Sequence, residues 1–355
     1  MIRRHKRVAL GIVTAGLLAL SACGGGSASE GSSSGESGGS GGSGEKSTTL
    51  SLVGFAVPKA GNDAAQAEFA KTPEGEGVTW KASYGASGEQ SRAVAAGLEA
   101  DYVHFSISPD VTRLEEAGLV DAKWDDGDNK GIATDSLVVF VVRKGNPKGI
   151  KTWDDLVKPD VSIVTPNPGS SGAARWNILA AYGSVLTRGG SDADAQAYLN
   201  ELLGHVAALP GSGRDATTAF LGGTGDVLLS YENEAILARQ NGEDFDYVVP
   251  DSTLLIENPG AVLKDADPKA KAYLDFVLSD EGQKAFVSKG FRPISGDLDS
   301  VGTIEGANDP SKPFPEPEHL QTIDDDFGGW SAVNDKFFDE DNGIVTKALA
   351  ESGKS

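Results

Sequence analysis

Three stretches of this chain share one arrangement of small residues: YGASGEQS at residues 84–91, PGSSGAAR at 168–175 and PGSGRDATT at 210–218. In each, a run of Gly and Ser follows a β-rich segment and leads directly into residues with helical spacing. The first amides of a helix have no intrahelical acceptor, the helix dipole adds partial positive charge there, and glycine lets a ligand come close to the backbone. The chemistry of such a loop is anion binding through main-chain N–H groups. A helix cap uses the same residues, so one loop alone reads more readily as a simple start signal, and it is the recurrence of three in one chain that points to an anion site.

Other chemistries find little support. No Gly-Lys-Ser/Thr of a nucleotide loop follows any of the three, and none spells the G-x-S-x-G of a nucleophile elbow. The histidines are His5, His104, His205 and His319, and their spacing matches no metal-ligand pattern. Asp326-Phe327-Gly328 spells a kinase triplet with none of that family's other motifs around it. Glu232 and Glu234 in SYENEA would suit an acid–base pair, but residues two apart on a helix do not face each other, so solvated carboxylates at a helix start are expected. The tryptophans are expected in the core. The chain is therefore expected to bind rather than to catalyse, with no cofactor and no metal.

The segments that must position these loops alternate β-rich runs with amphipathic helical runs, the pattern of an α/β fold with a parallel sheet. TLSLVGFAV, VTWKASYG, YVHFSIS and DYVVP predict strands, and AAQAEFAKT, GAARWNILAAYGSVLTRG and DADAQAYLNELLGHV predict helices. Ser87 followed by Gln90 predicts a capping box. SLVVFVVRKG at 136–145 predicts a buried central strand. Residues 267–293 predict two helices and a terminal strand. A chain that leaves one lobe near Phe140 and returns near Leu255 would enclose a cleft, the usual place for a ligand.

The N-terminus carries a different signal. MIRRHKR is followed by a short apolar run and then Leu20-Ser21-Ala22-Cys23, which resembles a bacterial lipobox. Residues 1–22 read as a lipoprotein signal peptide, and Cys23, the only cysteine, as the lipidated residue. Residues 23–46 read as the lipidated Cys with a Gly/Ser-rich flexible linker of about 25 Å r.m.s. reach. The whole chain has net charge −21; without residues 1–22 the balance is 27 basic against 52 acidic residues, or −25. So acidic a body excludes nucleic acid as a partner.

One long segment, LVVFVVRKGNPKGIKTWDDLVKPDVSIVTPNPGSSGAARWN, resembles the sulfate-binding proteins, the periplasmic or lipid-anchored receptors of sulfate and thiosulfate ABC importers. GASGEQ, GLEAD, GDVLLSYENEA, LSDEGQKAFVSKGFRP and TIDDDFGGW support the resemblance. It implies an α/β, two-lobed periplasmic-binding-protein-like fold of type II, with hinged lobes and a central ligand cleft. The expected lobes are 47–139 plus 256–330 and 140–255, with a C-terminal helical segment at 331–355. The implied ligand is a dehydrated sulfate or thiosulfate anion, held by the N–H of Ser87, the hydroxyl of Ser171, the N–H groups of Gly172, Ala173 and Gly213, and a side-chain donor at Tyr231. Arg175 and Arg214 would add field from behind.

The chain departs from the family pattern at Ala173, where Gly is usual, at Gly213, where Ala is usual, and at Tyr231, where Trp is usual. Ala56 stands where the family commonly has Asp. The resemblance further implies a monomer tethered to the outer face of the bacterial cell membrane through Cys23, with ABC permease subunits as partners.

Overall fold

A computed structural model describes residues 47–297 and 302–353. The signal-like segment, Cys23 and the Gly/Ser run lie outside those residues. The first half builds β1 (Thr48–Phe55), α1 (Lys59–Phe69), β2 (Val78–Gly85), α2 (Ser87–Ala95), β3 (Tyr102–His104), α3 (Ser108–Glu116) and β4 (Ile132–Arg143). After a 3-10 turn at Trp153–Val157 come β5 (Ile163–Val164), α4 (Gly172–Thr187), α5 (Asp192–Gly204), β6 (Val206–Ala208), α6 (Gly213–Leu221), β7 (Val227–Tyr231), α7 (Glu232–Gln240) and β8 (Phe245–Val248). The chain then forms β9 (Ser252–Val262), α8 (Pro268–Val277), α9 (Asp280–Val287), β10 (His319–Gln321), α10 (Ile323–Phe327), α11 (Gly329–Val333), a π-helical turn at Asn334–Phe338 and α12 (Ile344–Ser352).

The strand order is β2-β1-β3-β9-β4-β7-β5-β6, with β8 beside β4 and β10 beside β9. The sheet is mixed, not parallel as the alternation of elements predicts. β1 pairs in parallel with β2 and β3, and β5 with β6 and β7, as βα units require. The two long strands break that pattern: β9 runs antiparallel to β3 and to β4, and β4 runs antiparallel to β7 and β8. Their length is the reason. Ile132 to Leu137 of β4 pair with β9, and Val138 to Arg143 turn to β7 and β8, so one strand serves both halves of the sheet.

β4 is buried along its whole length except at Arg143, as its apolar run predicts. α4 buries twelve of its sixteen residues, so it is an interior helix and not an amphipathic surface one. The largest core cluster runs from Leu52, Phe55 and Tyr102 in the first half to Trp176, Leu179 and Leu199 in the second. Two smaller clusters lie around Val103 and Leu114 and around Val141 and Phe220. Among the described residues no helix is long and apolar enough to cross a membrane.

Two local expectations fail. The terminal strand after α9 is only a single bridge between Arg292 and Asp135, because Pro293 follows and has no N–H to extend a ladder. The Ser87–Gln90 capping box is absent: Ala86 is the N-cap of α2, the Ser87 hydroxyl donates to Asp110, and Gln90 Oε1 accepts from Ser83 Oγ. A buried acid outcompeted the backbone for that hydroxyl.

His104 ends β3 inside the core, with Nδ1 3.1 Å from Asn62 Oδ1 and Nε2 3.1 Å from Thr134 Oγ1. Burial pushes its imidazole down to about 3, so it is neutral in the fold. The unfolded chain takes up a proton near the ordinary histidine value and the folded chain does not, so this contribution to stability is present above about 6.5 and lost as pH falls from there toward about 3. Urea denaturation of the wild type is expected to lose up to about 1.4 kcal/mol per pH unit more across that window than His104→Gln. Parallel pH profiles for the two proteins would contradict this.

Candidate functional site

The three Gly/Ser loops meet. The N–H of Gly88 at the start of α2 donates to the Ser170 carbonyl at 3.2 Å. Ser170 Oγ donates to the Gly211 carbonyl at 2.8 Å, and the Asn167 N–H donates to the Pro210 carbonyl at 2.8 Å. The loop before α4 is thus stitched on one side to the start of α2 and on the other to the start of α6. Gly213 and Ala173 face each other closely: a methyl group on Gly213 would fall 3.3 Å from Ala173 Cβ and 3.2 Å from Val57 Cγ2.

Ser106 draws in the remaining residues. It lies two positions beyond β3, and its N–H donates to Ser87 Oγ at 2.9 Å while its own Oγ is 2.8 Å from Tyr231 Oη. Its carbonyl accepts from Trp176 Nε1 and from Asn258 Nδ2, both at 2.9 Å. A methyl group on Gly172 would fall 2.6 Å from Ser106 Oγ, which is why only glycine can open α4 at this point. Ser87, Ser171, Gly172, Ala173, Gly213 and Tyr231, which the sequence points to, are therefore linked through Ser106, Ser170 and Val57.

The helix starts differ in how they are satisfied. Elsewhere Ser and Thr caps act in the ordinary way: Ser191 accepts from the Asp194 N–H, Ser279 from Gly282 and Thr322 from Asp325. Ser171 is the N-cap of α4, yet its side chain caps nothing and makes no hydrogen bond among the described residues, although it is only 3 % exposed. Ser212 caps α6, but at the Asp215 amide and not at Gly213. The N–H groups of Ser87, Gly172, Ala173 and Gly213 all lie in first turns, where no intrahelical acceptor exists. A buried hydroxyl and several first-turn amides thus lie in loops that the hydrogen bonds above hold together.

Charged groups brace this wall from behind. Ser87 Oγ donates to Asp110 Oδ2 at 2.6 Å, and Asp110 Oδ1 accepts from Arg113 at 2.8 Å. Glu232 and Glu234, expected in solvent, are buried: Glu232 is held by Arg292 through Nε at 2.6 Å and Nη2 at 3.1 Å, and Glu234 by Arg214 at 2.7 and 2.9 Å. The spacing argument holds in that the two point different ways. One ties the end of β7 to the segment after α9, and the other ties it to the start of α6.

Arg214 therefore has its charge met by Glu234. Arg175 donates to Asn334 Oδ1 at 2.8 Å and lies over the Phe338 ring at 4.5 Å. Tyr231 is buried, and burial pushes its hydroxyl well above the ordinary phenol value, so it stays a neutral donor. Ser106, Asp110 and Asn258 were not singled out from sequence. The signal for Ser106 was its place just past the carboxyl end of a parallel strand, where open α/β sheets bind ligands.

Gly172→Ala is expected to destabilise the fold by about 1–3 kcal/mol through overpacking against Ser106. In a Ser106→Gly background the same change is expected to cost markedly less, because the opposing side chain is gone. Strict additivity of the two changes in urea denaturation would show that the Gly172–Ser106 approach is not what constrains this position.

A family profile described as bacterial extracellular solute-binding protein matches residues 54–292. The chain is similar to the sulfate-binding protein of Synechococcus elongatus, with 39 % identity over 348 residues that cover 95 % of this chain and 94 % of the relative. It is 35 % identical over 282 residues to the thiosulfate-binding protein of Pseudomonas aeruginosa, covering 76 % of this chain and 82 % of the relative. Among solved structures it resembles the sulfate-binding protein from Mycobacterium tuberculosis H37Rv, with 42 % identity, a TM-score of 0.76, and coverage of 82 % of this chain and 100 % of the other.

Proposed function

The chain belongs to the bacterial extracellular solute-binding proteins, and from that premise we infer that it is a receptor for sulfate or thiosulfate and not an enzyme. The observation that carries the reading is the stitching of three helix starts around Ser170 and Ser106, which gathers donors and no free carboxylate into one wall. The resemblance implies two lobes that close on a ligand between them. We place the lobes at 47–139 plus 256–330 and at 140–255, with β4 and β9 as the connection and 331–355 as a C-terminal helical segment.

Burying a dianion is costly unless its charge is met. Three helix starts at roughly +0.5 each supply about +1.5 against −2, and charge-assisted hydrogen bonds add to that. In the proposed site the donors are the N–H groups of Ser87, Gly172, Ala173 and Gly213 and the hydroxyls of Ser171 and Tyr231. The nearby ion pairs Arg113–Asp110 and Arg214–Glu234 each come close to neutrality, so the backbone dipoles carry most of the field. A wall of donors suits an anion without protons. Hydrogen phosphate brings an O–H with no acceptor to receive it, a mismatch that discriminates strongly in a dry site.

We further propose that Cys23 carries the lipid, that residues 23–46 act as the tether at the outer face of the bacterial cell membrane, and that the monomer delivers its anion to ABC permease subunits. The lipobox-like Leu20-Ser21-Ala22-Cys23 and the Gly/Ser composition support this.

Sulfate or thiosulfate at about 100 times its dissociation constant is expected to stabilise the protein by roughly 2.7 kcal/mol in a thermal-shift panel, with phosphate giving far less. Hydrolysis of a sulfate ester with no response to the simple anions would overturn the receptor reading. By calorimetry, Ser171→Ala and Tyr231→Phe are each expected to weaken sulfate binding about 10-fold or more, as loss of a hydrogen bond to a charged group does. Wild-type affinity in both variants would remove these residues from the site.

A further inference from the structure

Beside the same helix starts lies a second cavity, of about 420 Å³, into which three arginines converge: Arg92 from α2, Arg113 from α3 and Arg175 from the first turn of α4. In a chain of net charge −21 this is an unusual concentration of positive charge. Among the described residues that line it Glu340 is the one acid, and Asp110 acts on it from beside. Asp110 pairs with Arg113 and spends its other oxygen on Ser87, and Glu340 stands at the cavity's C-terminal rim. Neither Arg92 nor Arg175 forms an ion pair among the described residues. Burial pushes the Arg175 guanidinium below its ordinary value; Asp110 offsets part of this, and Arg113 and then Arg92 add smaller pushes in the same direction as burial.

The opposite wall is apolar. Phe338 stacks under Arg175, and Val345 and Leu349 of α12 complete that side. The volume lies within the usual range of small-molecule sites, about 300–1,000 Å³, and is far more than a bare tetrahedral oxyanion fills. Guanidiniums favour planar or tetrahedral acid groups through paired N–H donors. An acid head on the arginines and a short hydrocarbon body on Phe338, Val345 and Leu349 would fill both walls.

We propose that this cavity is a second anion site, for a small organic acid bearing a sulfonate or carboxylate on a few carbons. Its walls come from α2, α3 and α4, and α2 and α4 also supply the oxyanion donors, so an occupant holds those helices together. By reciprocity it then tightens retention of the oxyanion, and the oxyanion tightens the organic acid. The Gly88–Ser170 bond and the Arg113–Asp110–Ser87 chain are the contacts through which the two sites touch.

The test is calorimetric titration of 1-butanesulfonate and methanesulfonate into the full chain, with and without saturating sulfate. One saturable site per chain is expected with sulfate present, and butanesulfonate should bind at least about 10-fold more tightly because it buries three more carbons. Arg92→Gln, at an exposed position, should weaken it about 5-fold, and Glu340→Gln should strengthen it. Sulfate titrated alone should bind both variants as it binds the wild type, which tests the receptor reading separately. No saturable sulfonate binding in the presence of sulfate, equal affinity for the two sulfonates, indifference to Arg92→Gln, or simple displacement of sulfate by sulfonate would each overturn the proposal.

Discussion

The arrangement of the cleft depends on the four hydrogen bonds of Ser106. Its N–H, Oγ and carbonyl reach Ser87 at the start of α2, Tyr231 at the end of β7, Trp176 in α4 and Asn258 in β9. The contact leaves no room for a side chain on Gly172, so α4 opens on bare backbone against Ser106. A core that already spans both halves, from Leu52 to Leu199, fixes the distances at which these bonds can form. Packing sets the frame, and the polar contacts select one geometry within it.

Electrostatics is handled by pairing rather than by excess. A body so acidic repels small anions at long range, and that repulsion fades beyond about 10 Å in ordinary salt. Close to the donor wall the charges cancel locally, with Asp110 against Arg113, Glu232 against Arg292 and Glu234 against Arg214. The Glu232 and Glu234 pairs also join separate elements, so removing either arginine would leave a buried carboxylate as well as a loosened brace. Besides Arg92 and Arg175, what remains unpaired there is the Ser171 hydroxyl and the first-turn amides of Ser87, Gly172, Ala173 and Gly213.

The sequence made the local order of elements readable because most of it is set by local chemistry. Periodicity and turn residues placed the principal helices, and the apolar run of β4 marked the central strand. Strand direction was not readable, because the antiparallel pairing of β4 with β9 joins residues more than a hundred positions apart. The six candidate site residues came from resemblance to a family; five of them lie in loops with a shared grammar, and Tyr231 does not. Ser106, Asp110 and Asn258 escaped because a lone Ser, Asp or Asn has no spacing signature. Glu232 and Glu234 were misplaced for a related reason: their partners Arg292 and Arg214 are distant in sequence, and a glutamate is otherwise expected in solvent.

Tyr231 shows how a departure from a family pattern can be accommodated by its neighbours. An indole offers one N–H and no acceptor, whereas a phenol both donates and accepts. Tyr231 Oη sits 2.8 Å from Ser106 Oγ, and the proton between them can belong to either residue. If an oxyanion occupies the proposed site, its charge favours the order in which Ser106 donates to Tyr231 and Tyr231 donates outward, because that order turns the phenolic proton toward the anion. Accepting one hydrogen bond polarises the hydroxyl and strengthens the one it gives. Ser106 then does for Tyr231 what an indole would not require: it supplies the second proton of a relay.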